Sequence, residues 1–151
     1  MRGAYDKTDR SQTDAITFEI ELAHSPKKVW RALTDPVLLE QWLLPVVGFA
    51  LTPGATFRLS APPQPGWDGI VNGEMLAVDA QKQLRYAWRV GDLDTVVTFT
   101  LTPTASGTRL DIVQSGFKPD QKHNFGGARY GWNMMSGKLV DLLANSSEGE
   151  T

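Results

Sequence analysis

The sequence predicts an α+β fold in which a curved antiparallel sheet wraps around one long C-terminal helix. Three observations carry that prediction. Between residues 16 and 115 most segments alternate apolar and polar side chains with period two, the signature of half-buried strands. The joins VDAQKQ, GDLD and PTASG are short, which makes consecutive strands antiparallel neighbours. The last segment instead places Ala128, Trp132, Met135, Leu139 and Leu142 or Leu143 at three- and four-residue steps, the period of a helix. A sheet with one apolar face needs a cover, and this helix is the only predicted element long enough to supply it.

The elements follow in order. Residues 16–24 put Ile16, Phe18, Ile20 and Leu22 on one face of a strand and Thr17, Glu19 and Glu21 on the other. Ser25-Pro26 is a helix start, with Ser25 as N-cap and proline at the first helical position. Asp35-Pro36 repeats the device, so two short helices are expected at 26–33 and 36–42. Strands are expected near 46–51 and 55–61, with a turn at Pro53-Gly54, and then a turn-rich loop over 61–66. Gly54 is expected in a turn that needs positive φ. A long strand over 68–78 has an ambiguous phase that a bulge near Gly73 would explain. Strands at 83–90, 94–102 and 107–115 have clear phases. The start of the last helix is open, because Gly126-Gly127 weakens a continuous helix by about 1 kcal/mol per glycine relative to alanine.

Composition narrows the chemistry. The chain has 151 residues, 41% of them hydrophobic, which suffices for one domain with a core. A single domain is expected over 15–144, between flexible tails at 1–14 and 145–151. Lys+Arg is 15 and Asp+Glu is 17, a balance that gives no broad attraction to nucleic acid or to anionic membranes. With no cysteine, disulfides, thiol nucleophiles and cysteine metal sites are excluded, and His24 and His123 alone cannot build a histidine-rich metal site. Neither a secretory signal nor a membrane span is visible, and the cytoplasm is the expected compartment.

The inventory for catalysis is poor. His24 lies beside a helix cap and His123 in a polar segment, so both read as surface residues. Glu19 and Glu21 share the polar face of their strand, where solubilising carboxylates are the usual case. Glu74 is a candidate general base only if its strand turns it inward. Asp92 and Asp94 share a turn but lack the remaining ligands of a calcium loop. Gly126-Gly127 could expose N–H groups to an anion, though a flexible helix entry is the simpler reading. Lys27, Lys28 and Arg31 are read as a solvated helix face.

The order strand, two short helices, six strands and long helix resembles the helix-grip, START-like superfamily, also called SRPBCC. Within it the chain is similar to the family of the activator of heat-shock protein 90 ATPase. The resemblance is carried by SPKKVWRALTDPVLLEQWL (25–43), PGATFRL (53–59), NGEMLAVDAQKQLRYAW (72–88), TVVTFTLTPTASGTRLDIVQSGF (95–117) and Gly131-Trp132. Eukaryotic activators of the chaperone carry a further N-terminal domain, whereas residues 1–14 precede the first strand here.

The resemblance implies a cavity between helix and sheet, where superfamily members bind lipids, hormones, polyketides or other apolar molecules. Trp30 and Trp42 match the family's helix-pair tryptophans; they lock the pair against the sheet, and Trp42 could also wall the cavity mouth. Phe57, Leu59, Tyr86, Trp88, Phe99, Ile112, Trp132 and Met135 are expected to face the helix–sheet space, and Tyr86, Trp88, Asn72 and Gln114 are the candidates for orienting a ligand. The alternative for all of them is a filled core. The leading expectation is noncatalytic binding of a small apolar or amphipathic molecule, with no cofactor and no metal. A cyclase- or hydrolase-like enzyme and a chaperone-associated interaction module are the alternatives. A chaperone contact and a homodimer are the protein partners to consider.

Overall fold

The structure, a computed structural model, describes residues 6–8, 14–63, 65 and 67–145. Strand β1 (Ala15–Leu22) is followed by helices α1 (Pro26–Thr34) and α2 (Pro36–Trp42). Six strands come next: β2 (Val46–Val47), β3 (Thr56–Ser60), β4 (Ile70–Asp79), β5 (Gln83–Val90), β6 (Leu93–Thr104) and β7 (Gly107–Ser115). Helix α3 (Lys122–Ala144) closes the fold. The seven strands form one antiparallel sheet in the order β1-β7-β6-β5-β4-β3-β2. Strands β2 to β7 are a meander, and β1 adds to its far edge. Helices α1 and α2 therefore carry the chain from one edge of the sheet to the other. This is the expected helix-grip architecture.

Local chemistry starts both short helices as the sequence suggests. The Ser25 hydroxyl accepts the Lys28 N–H at 3.2 Å, and an Asp35 carboxylate oxygen accepts the Val37 N–H at 3.0 Å. Each cap satisfies a donor that the first helical turn leaves free. The Trp42 ring N–H donates to the Ala32 carbonyl at 2.8 Å, so the second helix is tied to the first through a buried indole.

Five expectations change. The strand over 46–51 shrinks to Val46–Val47, because Gly48 at φ +79° turns the chain off the sheet edge. Phe49, just beyond, packs its ring edge-on against Phe57 at 5.0 Å between ring centroids. The bulge lies between Met75 and Ala77, not at Gly73, and it leaves Leu76 without a partner. Gly73 has another purpose. A Cβ there would lie 2.3 Å from Phe57 ring carbons, so the glycine makes room for that ring across the β3–β4 pair.

Helix α3 runs straight through Gly126-Gly127. The propensity cost is offset by packing: Phe125 is buried and meets Phe117 at 5.2 Å, and Arg129 pairs with Asp6 at 2.6 Å. Asp6 belongs to the expected N-terminal tail, yet Asp6–Thr8 lies along β1, with the Lys7 N–H donating to the Thr17 carbonyl at 2.7 Å. The other tail residues, 1–5, 9–13 and 146–151, lie outside the described residues. Lys28, finally, is no solvated lysine. It is 4% exposed, and its ammonium donates to the Leu143 carbonyl at 2.8 Å. A cation at the last turn of α3 satisfies one of its free carbonyls and complements the helix dipole, so α1 anchors the far end of the long helix.

Candidate functional site

Register places the inward side chains of the sheet in rows. One row runs Ile16, Gln114, Val97, Tyr86 and Met75 across β1, β7, β6, β5 and β4. The next runs Phe18, Ile112, Phe99 and Leu84. A third joins Phe57, Gly73, Trp88 and Thr95. None of these side chains carries a charge at neutral pH.

Over them lies α3. The Trp132 ring stands 5.7 Å from the Trp88 ring and 6.0 Å from the Phe99 ring, centroid to centroid. From Phe99 the ring contacts continue to Trp42 at 6.5 Å and to Tyr86 at 5.7 Å, and Tyr86 meets Phe57 at 5.1 Å. Aromatic contacts thus link α2, β3, β5, β6 and α3. Edge-to-face geometry dominates, as ring quadrupoles favour.

Of the residues singled out in the sequence, Trp42, Phe57, Leu59, Tyr86, Phe99, Ile112, Gln114 and Trp132 are buried in this interior. Trp88 and Met135 are partly buried and pack against it. Asn72 is the exception. Period two in β4 turns Val71, Gly73 and Met75 inward, so Asn72 is exposed on the outer face, opposite Arg58 and Arg89. Asn72 therefore cannot orient a ligand in the interior.

Glu74 shares the outer phase. Its carboxylate accepts from Arg89 at 3.0 Å, and Arg89 also donates to Asp94 at 3.0 Å. The conditional general base of the sequence reading is a surface ion-pair residue.

Polar groups in the interior form a short relay. The Trp132 ring N–H donates to the Gln114 side-chain oxygen at 2.7 Å. The Gln114 amide donates to the Thr95 hydroxyl at 2.9 Å, and that hydroxyl donates to the Trp88 carbonyl at 2.8 Å. Each member is paired, so the relay locks the indole and the glutamine in one orientation. Sequence reasoning missed Thr95, because its strand pattern gives threonine no special weight. Phe49 was missed because it was read as part of a strand. Ser136 was missed although its place four residues after Trp132 is the signal; a serine in an apolar stripe is easily passed over.

Tyr86 is the one titratable group on these rows, and burial alone pushes its phenol above the ordinary value of 10. It therefore stays a neutral hydroxyl across the physiological range. The unfolded chain would ionise it near pH 10, while the folded chain holds the proton longer. Its contribution to stability is complete below that pH and is lost as pH rises beyond it. Wild type should accordingly lose more denaturant resistance than Tyr86→Phe between about pH 8 and about pH 11. Equal losses in urea melts would show that the phenol is reached by solvent.

The interior between α3 and the sheet is thus uncharged and aromatic, with one amide and one indole held in a fixed orientation. Comparison with known proteins agrees with the architecture. Residues 23–144 match the family model described as activator of Hsp90 ATPase homolog 1-like protein. The chain belongs to this family. Protein MLL2253 from Mesorhizobium loti has a similar crystal structure, with a TM-score of 0.82 and 42% identity, covering 88% of this chain and 98% of that one. Protein NE0264 from Nitrosomonas europaea has a TM-score of 0.70 and 27% identity, covering 91% of this chain and 97% of the other. Protein CV1439 from Chromobacterium violaceum gives a TM-score of 0.70 and 26% identity over 88% and 99% of the two chains. No curated protein matches the chain.

As a member of the activator of Hsp90 ATPase homolog 1-like family, the chain carries a ligand-binding type of domain. Trp30 packs on the core from α1, and Trp42 locks α2 to α1. Gly54 sits at φ +92° with open space around an added Cβ, as a pure turn residue would. Among the described residues no helix is long and apolar enough to cross a membrane, and no three acidic or histidine side chains cluster around a metal position.

Proposed function

We propose that this domain binds a small apolar or amphipathic molecule between α3 and the sheet, in the cytoplasm, without chemistry on it. The observation that carries the reading is the linked set of rings from Trp42 to Trp132, continuous from α2 through the sheet to α3 and free of charge. A cyclase or hydrolase would need an acid or base that approaches the ligand. Glu74, the best candidate, faces out, and Tyr86 is held neutral. Family membership supports a ligand-binding domain and leaves the ligand open.

Titration calorimetry with naphthalene as an apolar probe tests the reading. Binding should show a negative heat-capacity change, the marker of apolar burial. Ile112→Trp should weaken binding by roughly tenfold or more while circular dichroism stays native, since a larger ring that occupies the ligand's room excludes the probe from it. Glu74→Gln, altered on the outer face, should bind as wild type does. A wild-type protein that takes up no probe has a filled core, and the interaction-module reading then replaces this one. Unaltered binding to Ile112→Trp puts the site elsewhere.

A further inference from the structure

The solvent side of α3 carries a face that the folding of a single chain does not explain. Tyr130 is 72% exposed and Met134 is 50% exposed, four residues apart and therefore neighbours on the helix surface. Single exposed apolar residues are ordinary, but here two large ones adjoin. Glycine stands at both ends of them: Gly126 four residues before Tyr130, and Gly137 three residues after Met134. An added Cβ would meet no atom within 4 Å at either glycine, so packing in the single chain requires neither. At an open helical position any residue except proline would favour the helix more than glycine does.

The charges that bound this face are opposite in sign and evenly placed. Lys122 lies four residues before Gly126 and Asp141 four residues after Gly137, and both are exposed. Neither forms an ion pair among the described residues. Between them Gly126, Tyr130, Asn133, Met134 and Gly137 carry no charge. Arg129 and Lys138 lie on the two flanks, and Arg129 is already paired with Asp6. Asn133 stands four residues before Gly137, as Tyr130 stands four after Gly126, so the face reads alike from either end. Turn a second copy about a two-fold axis midway between positions 131 and 132. Each Lys122 then comes opposite the partner's Asp141, each Gly126 opposite the partner's Gly137, and each Tyr130 opposite the partner's Asn133. A parallel neighbour would instead set lysine against lysine and aspartate against aspartate.

We propose that this face binds a second copy of the chain, with the two α3 helices antiparallel and the symmetry axis at the middle of the face. The charges choose the occupant: one surface supplies both the lysine and the aspartate that its partner needs, as a self-complementary contact demands. The distance between packed helices depends on the side chains at the contact, and glycine at both ends allows the near limit of about 8 Å. Tyr130 and Met134 fill the centre, and both residue types are enriched at protein interfaces. From Lys122 to Asp141 the helix runs about 28 Å. A contact of that length and one helix wide is at the small end of specific interfaces, so the dimer is weak, with a Kd of roughly tens of micromolar. The inner side of α3, with Trp132 and Leu139, stays on the sheet, so dimerisation does not depend on whether the interior takes a ligand.

Sedimentation velocity on the full chain, between about 1 μM and about 500 μM, measures the association. The mass of wild type should rise from 16.6 kDa towards twice that value. Gly126→Leu adds bulk in open space and improves helix propensity, so circular dichroism should stay native while association weakens by about tenfold or more. Tyr130→Glu should weaken it as much, by setting a charge in the centre of the contact. Lys122→Asp alone, or Asp141→Lys alone, sets like charges opposite each other and should weaken association by roughly three- to tenfold. The two changes together exchange the charges and should restore it to within about twofold of wild type. A wild type that stays at 16.6 kDa at the highest concentration overturns the proposal and leaves the face to a different protein. Association that survives both Gly126→Leu and Tyr130→Glu overturns it by placing the contact elsewhere. It also falls if the combined charge exchange fails to restore what the single changes remove.

Discussion

Trp132→Ala is expected to remove about 3–5 kcal/mol of folding stability through lost transfer energy and the cavity left behind. The ring is 1% exposed and meets Trp88 and Phe99. Its loss also leaves the Gln114 oxygen without its donor in a buried place. An orphaned acceptor of that kind adds about 1–3 kcal/mol. Domains of ordinary stability hold only about 5–15 kcal/mol in total, so the variant should be partly unfolded at moderate denaturant. Urea denaturation measures the difference. Trp132→Phe separates the two contributions, since it keeps most of the ring and deletes the N–H. A loss below about 1 kcal/mol for the alanine variant would mean that the indole borders an already open space.

Gly69→Ala should be nearly as damaging, for a backbone reason. Gly69 sits at φ +83°, a conformation that costs an L-residue roughly 1–2 kcal/mol. An added Cβ would also lie 2.1 Å from the Ala61 carbonyl oxygen. That segment cannot move aside freely, because the Ala61 N–H donates to the Gly69 carbonyl at 2.7 Å where β3 and β4 meet the loop. A total of about 3 kcal/mol is expected, which lowers Tm by roughly 6–12 °C in a domain of this size. Gly54→Ala is the control. It has a similar φ of +92° and no atom within 4 Å of the new Cβ, so its cost is conformational alone. Matching melting temperatures for the two variants would show that the loop yields to the Cβ.

The physical origin of these two effects marks what a sequence can and cannot disclose. Period two in β5, β6 and β7 and the proline-led starts of α1 and α2 are local, one-dimensional signals, and they located those elements to within about two residues. The same periodicity put Trp88, Phe99, Ile112 and Gln114 on one face, because alternation along a strand leaves no other choice once one side chain is known to be buried. It could not place Asn72, since the apolar residues of β4 break phase at the bulge beyond Met75. Only pairing with β3 and β5 decides which phase of that strand looks inward.

The same limit applies to the glycines and the lysine. Gly126-Gly127 reads as a helix break by propensity, but Phe125 and Arg129 hold α3 on either side of it through partners outside the helix, Phe117 and Asp6. Lys28 reads as surface by composition and is buried because the last carbonyls of α3 arrive beside it.

By itself, then, the sequence determined the antiparallel meander, the capped helix pair, the long covering helix and the apolar face they share, since each is written in local spacing and side-chain chemistry. Tertiary structure alone decided the facing of Asn72 and Glu74, the relay from Trp132 to Thr95, and the buried Ser136 hydroxyl without a partner. Those features depend on which side chains meet across the space between helix and sheet, and hydrogen bonds over a few ångströms have no signature in the order of residues along the chain.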